Sequence, residues 1–287
     1  MLMKNKPDHI FIVGVGRSGT KFLMNVLNNH SEINISSETH FFSKLIHNGF
    51  IKVAKKFEGF EYDRNLKKLV EAMFNRSVFG TFWKHPLSIE KERILDRFKQ
   101  SKRTFKDFFS IIIEEDKLSK NKSIAGEKTP SHLYHIDNLI KWFPNAKILH
   151  IIRDPRFVLA SEIHKDLKTD YPLKKESYFY NLGLFFYVLI QWFLALRLDK
   201  KFEKKYPTQY LSIKYEDLLN DHERKVKYVC SFLNVKYEES MLNPPIVDSS
   251  YQERNKKNSR RVAKITPVME YLLTFFLRND MRKLGYL

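Results

Sequence analysis

Residues 14 to 21 read Gly-Val-Gly-Arg-Ser-Gly-Thr-Lys, with three glycines, two hydroxyls and two cations in eight positions. An apolar, β-branched run from His9 to Val15 leads into this segment and reads as a buried strand. Thr20 to Asn29 follows it with Phe22, Leu23, Val26 and Leu27 on one face, the spacing of a helix. A strand, a glycine-rich loop and a helix in that order place backbone N–H groups and a helix dipole at one point, which is an anion site. Gly14, Gly16 and Gly19 let the backbone bend and approach a ligand closely. Ser18 and Thr20 add hydroxyls, and Arg17 and Lys21 add charge. An ordinary strand–helix turn is the plain alternative, and it does not account for this density of donors.

The rest of the chain repeats the alternation. Ser123 to Glu127, Ala146 to Ile152 and Thr208 to Ile213 read as strands. Helical patterns cover 39–49, 61–78, 88–100, 104–119, 132–142, 176–202, 221–234 and 266–283. Asp154-Pro155 opens one more, with Asp as cap and Pro in the first turn. Strands alternating with helices imply an α/β fold: a P-loop-like parallel sheet flanked by helices. No linker or repeat divides residues 1–287, so a single domain is expected. Leu182 to Leu198 is apolar apart from Gly183, Gln191 and Arg197, and reads as a buried helix, with membrane contact the less favoured alternative. The single cysteine, Cys230, lies in an apolar run and allows no disulfide within the chain. With no apolar leader of secretory length before His9, a cytoplasmic location is expected.

The chemistry of the anion site narrows further. Lys and Arg number 51 against 33 Asp and Glu, a formal charge of +18, which favours anionic partners without choosing among them. A nucleotide kinase loop would place Lys and then Ser or Thr directly after the last glycine, whereas here Thr20 precedes Lys21. The strand over 146–152 runs into Arg153, where a metal-binding carboxylate would be expected in a kinase. The site is therefore expected to neutralise its ligand with side chains and without a metal. Three classes stay open: group transfer from a phosphorylated donor, a P-loop small-molecule kinase, and a non-catalytic anion-binding module.

Arg17-Ser18-Gly19-Thr20 resembles the loop Pro-(Lys/Arg)-Ser-Gly-Thr-Thr of the sulfotransferase family, with Lys21 in place of the second Thr. Arg153 and Ser161, eight residues apart after a strand, resemble the family's second phosphate motif. Glu38 in Ser-Ser-Glu-Thr-His-Phe-Phe, Lys128 in Gly-Glu-Lys-Thr-Pro, and Tyr215 to Leu218 (Tyr-Glu-Asp-Leu) match further segments. The resemblance runs from about residue 9 to 235, and its arginine version is most similar to the tyrosylprotein branch and bacterial relatives.

The resemblance implies 3′-phosphoadenosine 5′-phosphosulfate (PAPS) as donor, with no metal. Arg17, Ser18, Gly19, Thr20 and Lys21 would hold the 5′-phosphosulfate, and Arg153, Ser161 and Lys165 the 3′-phosphate. Tyr215 would contact the donor, and Ser259 and Arg261 belong to a basic segment similar to a loop that closes over it. Glu38 stands at the position of a catalytic base, with His40, His85 and His132 as rivals. Arg17 and Lys128 would stabilise the leaving phosphate. The sulfuryl group would pass to an acceptor hydroxyl or amine; the acceptor stays open between a sugar, a small alcohol, a peptide tyrosine and a lipid headgroup, and no specific nucleic-acid binding is expected. Residues 50–120 and 166–200 would frame it, and their aromatics Phe57, Phe60, Tyr62, Phe79, Phe82 and Trp83 read as core before they read as pocket.

Overall fold

A computed structural model describes residues 6–42, 49–57, 59–74, 89–167, 178–243 and 265–287. His85, Phe79, Phe82, Trp83, Ser259 and Arg261 lie outside the described residues, as does the side chain of Lys165. In chain order the elements are β1 (His9–Gly14), α1 (Thr20–Asn28), β2 (Ile33–Ser36), α2 (Phe50–Ala54), α3 (Asp63–Phe74), α4 (Lys91–Gln100) and α5 (Phe105–Leu118). They continue with β3 (Ile124–Lys128), α6 (Ile136–Trp142), β4 (Lys147–Ile152), α7 (Pro155–Leu167) and α8 (Tyr178–Lys205). The chain then adds β5 (Tyr210–Lys214), α9 (Tyr215–Asn220), α10 (His222–Leu233) and α11 (Pro267–Lys283).

The five strands form one sheet in the order β2-β3-β1-β4-β5. Every pairing is parallel. β1 is central because its neighbours come from later in the chain on both sides: Ile12 pairs with Lys128 of β3 and with Leu149 of β4. Phe11 and Val13 point into one core layer with α5, α6 and α8, while Ile10 and Ile12 point into another with α1 and α10. Both faces are thus covered, as a parallel sheet requires. The chain reverses its direction of growth across the sheet at β1, and at such a switch point ligands sit beyond the carboxyl ends of the strands.

The expected strands and helices are present with ends shifted by a few residues, and three readings change. β2 was not expected. It is four residues long, and its Asn34 and Ser36 look like loop residues until α5 supplies Asp116. Asn34 and Ser36 donate to the buried Asp116 carboxylate at 2.8 and 2.5 Å. The segment 132–142 is a 3₁₀ turn over Pro130–His135 and only then α6. In the segment 39–49, residues 39–42 are not helical, and a helix starts at Phe50. Asp154 caps α7 as expected, its carboxylate accepting from the Arg156 N–H at 2.9 Å.

Asp116→Ala would strand two buried polar side chains on β2. A loss of about 2–4 kcal/mol of stability is expected from orphaned groups of this kind, measured as the shift in urea midpoint at constant m-value.

Candidate active site

The glycine-rich loop occupies the turn from β1 into α1 at the carboxyl edge of the sheet. Gly19 caps α1 with φ of 97°, in the left-handed region. A side chain there would meet the Tyr215 ring at 2.3 Å, so the loop can lie against Tyr215 only if this residue is glycine. Ser18 is buried, and its hydroxyl has no hydrogen-bond partner among the described residues. A buried, unengaged hydroxyl beside the first N–H groups of a helix fits an anionic ligand in this turn. Lys21 is half-buried in the first turn of α1, and Arg17 is exposed at the loop tip with φ of 65°.

The two segments that resemble the family's phosphate motifs are contiguous. Arg17 Nε donates to Ser161 Oγ at 2.9 Å across 144 residues of sequence. Arg153 Nη1 donates to the Arg17 carbonyl at 2.9 Å, and its guanidinium lies 4.8 Å from the Tyr215 ring centroid. Tyr215, the first residue of α9, is therefore both a packed core aromatic and a floor for Arg153. Sequence reasoning missed Trp192 of α8, whose indole N–H donates to the Arg153 carbonyl at 2.9 Å and fixes the end of β4.

A second cluster stands beside the first, where β3 ends. Lys128 Nζ donates to Glu38 Oε1 at 2.6 Å, and His40 Nε2 lies 2.9 Å from Glu38 Oε2. Two of the residues expected to compete as base are thus joined through one carboxylate. The Glu38 side chain keeps about a third of its surface, 35%. Burial works to raise its pKa, but the His40 hydrogen bond and the Lys128 charge and hydrogen bond outweigh that and hold it well below the usual carboxylate range. One residue along each segment, a buried layer supports this cluster. Glu127 Oε1 accepts from the Thr39 N–H at 2.9 Å, from the Thr39 hydroxyl at 3.0 Å and from the Thr129 hydroxyl. Fixing Thr39 on Glu127 holds Glu38 opposite Lys128.

His132 belongs to that buried layer. Its ring is fully buried, Nε2 faces the Phe42 N–H at 3.4 Å, and Nδ1 lies 3.0 Å from Glu127 Oε2. That burial makes His132 part of the packed layer beneath Glu38.

The sulfotransferase family model matches residues 7–239, and the chain belongs to the sulfotransferase family. The omega-hydroxy-beta-dihydromenaquinone-9 sulfotransferase of Mycobacterium bovis is 35% identical over 103 residues, which are 35% of this chain and 26% of that protein. The match thus spans about a quarter of that relative's length. The sulfotransferase domain of the Synechococcus PCC 7002 olefin synthase shares the fold, with a TM-score of 0.55, 18% identity and 96% of each chain covered. A mouse sulfotransferase solved with PAP has a TM-score of 0.50 at 16% identity, over 98% of this chain and 86% of that one.

Lys128→Met should move the Glu38 titration upward, toward the ordinary carboxylate range, because the first donor to Oε1 and its charge are both lost. Carboxyl-carbon NMR titration checks this; an unchanged Glu38 titration would contradict the pairing. The sign for folding is that of a depressed carboxylate. Its stabilisation is present above the unfolded-state pKa and lost as pH falls toward the folded one.

Proposed function

We propose that this chain is a PAPS-dependent sulfotransferase acting on an acceptor hydroxyl, and that Arg17, Arg153 and Ser161 hold the donor while Glu38 and Lys128 serve the reaction. The observation that carries this reading is the junction of the two phosphate motifs through Arg17, with a carboxylate–lysine pair at the neighbouring strand end. The donor supplies an activated sulfuryl group on its 5′-phosphate. The loop N–H groups, the Ser18 hydroxyl, Thr20 and Lys21 bind that end. Arg153 and Ser161, with Lys165 as a further candidate one turn along α7, bind the 3′-phosphate. Tyr215 supports Arg153 from below, and Ser259 and Arg261 stay candidates for closing over the donor.

Glu38 takes the proton of the acceptor hydroxyl as the new S–O bond forms, and the S–O bond to the phosphate breaks. Arg17 and Lys128 stabilise the charge that develops on the leaving phosphate oxygen. A carboxylate held this far down is a weak base while both partners keep it. Lys128 is the partner with a second task. When its charge turns to the leaving phosphate, Glu38 keeps His40 alone and its basicity rises. His40 in this scheme positions Glu38 and is the first alternative base.

A hydroxylated lipid is the first acceptor class to screen, ahead of sugars, small alcohols and peptide tyrosines, because the mycobacterial relative is named for a hydroxylated menaquinone. Cys230 is buried, and burial pushes its thiol up to about 11. The one cysteine allows no disulfide within the chain, which supports the proposal of a reducing, cytoplasmic setting.

Calorimetry in excess chelator is expected to show PAP binding far more tightly than AMP or ATP. Equal affinity for AMP would remove the 3′-phosphate assignment, and recovery of activity by magnesium alone would favour the kinase reading. Arg153→Ala should cost about 2–4 kcal/mol of PAP binding. Glu38→Gln should lower turnover by about 10²–10⁴ with donor affinity unchanged. Near-normal turnover in that variant would move the role of base to His40.

A further inference from the structure

The long helix α8 has two unlike faces. Its inner face packs on the sheet through Phe185, Val188, Trp192 and Ala195, and Asp199 reaches His150 of β4 and Tyr210 of β5 at 3.0 and 2.8 Å. The expectation of a buried helix holds for that face alone. On the outer face, Gly183, Phe186, Ile190 and Phe193 recur at intervals of three and four residues and are exposed, Ile190 by 53%. The same outer stripe continues as Arg197, whose guanidinium lies 4.1 Å from the Phe193 ring centroid, and Lys200.

α11 repeats this plan. Met269, Leu273, Leu277 and Met281 are buried, while Val268, Tyr271 and Phe275 form an exposed apolar stripe, Phe275 by 61%. That stripe continues as Arg278 and Arg282. Lys200 of α8 bonds Asp280 of α11 at 2.9 Å, while Trp192 of α8 and Glu270 of α11 both anchor at the start of α7, on the Arg153 carbonyl and 3.9 Å from Arg156. These contacts make the two helices neighbours over α7.

From this arrangement we infer that α8 and α11 form a docking surface for an anionic lipid membrane. Two apolar stripes on adjacent helices, backed by arginine and lysine on the same faces, match a bilayer interface: aromatic and aliphatic side chains enter the acyl boundary and the cations meet acidic headgroups. The charge of +18 adds long-range attraction to the same partner. Among the described residues α8 holds the one segment long and apolar enough to span a bilayer, with 28% of its most apolar window buried. Spanning would require Trp192 and Asp199 to leave the sheet, so the helix docks flat by its outer face.

Sedimentation of the full chain with large vesicles tests this. Binding is expected to phosphatidylcholine vesicles containing phosphatidylglycerol, to weaken at high salt, and to be poor on phosphatidylcholine alone. Ile190→Ser combined with Phe275→Ser should lower partitioning by about tenfold or more, with circular dichroism and thermal midpoint unchanged. Arg278→Glu with Arg282→Glu should abolish the preference for the anionic lipid. Failure of the wild-type chain to bind either vesicle, or full binding by both double variants, would overturn the inference. So would a wild-type dimer, seen by ultracentrifugation, that the apolar variant dissociates without any vesicle binding, since a second copy would then cover the face.

Discussion

Mutual repulsion among Arg17, Lys21, Lys128 and Arg153 is the force that the architecture has to contain, because all four belong to the carboxyl edge of one sheet. Each of the three whose partners are seen is held by something that does not neutralise the site as a whole. Arg17 donates to a hydroxyl, Arg153 donates to a carbonyl and lies over an aromatic face, and Lys128 shares a carboxylate with a histidine. Such contacts orient the cations along the sheet edge. The rigidity needed to keep them there comes from strands buried on both faces and from anchors such as Trp192 on the Arg153 carbonyl.

Glu38 shows how a core interaction sets the chemistry at the surface. Its alignment with Lys128 is fixed one residue away, where the wholly buried Glu127 gathers Thr39 and Thr129. Removing a buried carboxylate of this kind leaves several donors without an acceptor, so the layer is far stiffer than a pair of exposed charges would be. Under the proposed function this carboxylate is a base that is ionised but weakly basic at rest, and its strength depends on where the Lys128 charge is directed.

Sulfotransferase structures at 16–18% identity share this fold, so the scaffold tolerates wide change in sequence. In this chain α8 uses one face to brace β4 and β5 and leaves the other apolar and exposed, so one helix links the sheet to whatever the outer face meets.

The glycine-rich loop, the first strand and helix, and the capping Asp154 were legible in the sequence because each depends on neighbours a few residues away, while Arg153 with Ser161 was named through the family resemblance. A β-branched run, a glycine and a capping carboxylate act through local sterics and local hydrogen bonds. β2 was not legible, since Asn34 and Ser36 become strand residues only when Asp116 arrives from α5. Glu38 and Lys128 could be named individually, but their bond and the addition of His40 follow from strand order. The link between Arg17 and Ser161 likewise needs β1 and β4 to be adjacent. For α8 the sequence determined an apolar helix and could not tell which face would find a partner. That division was decided by the sheet, which offers one surface to pack against and leaves the opposite side of the helix to solvent or to a membrane.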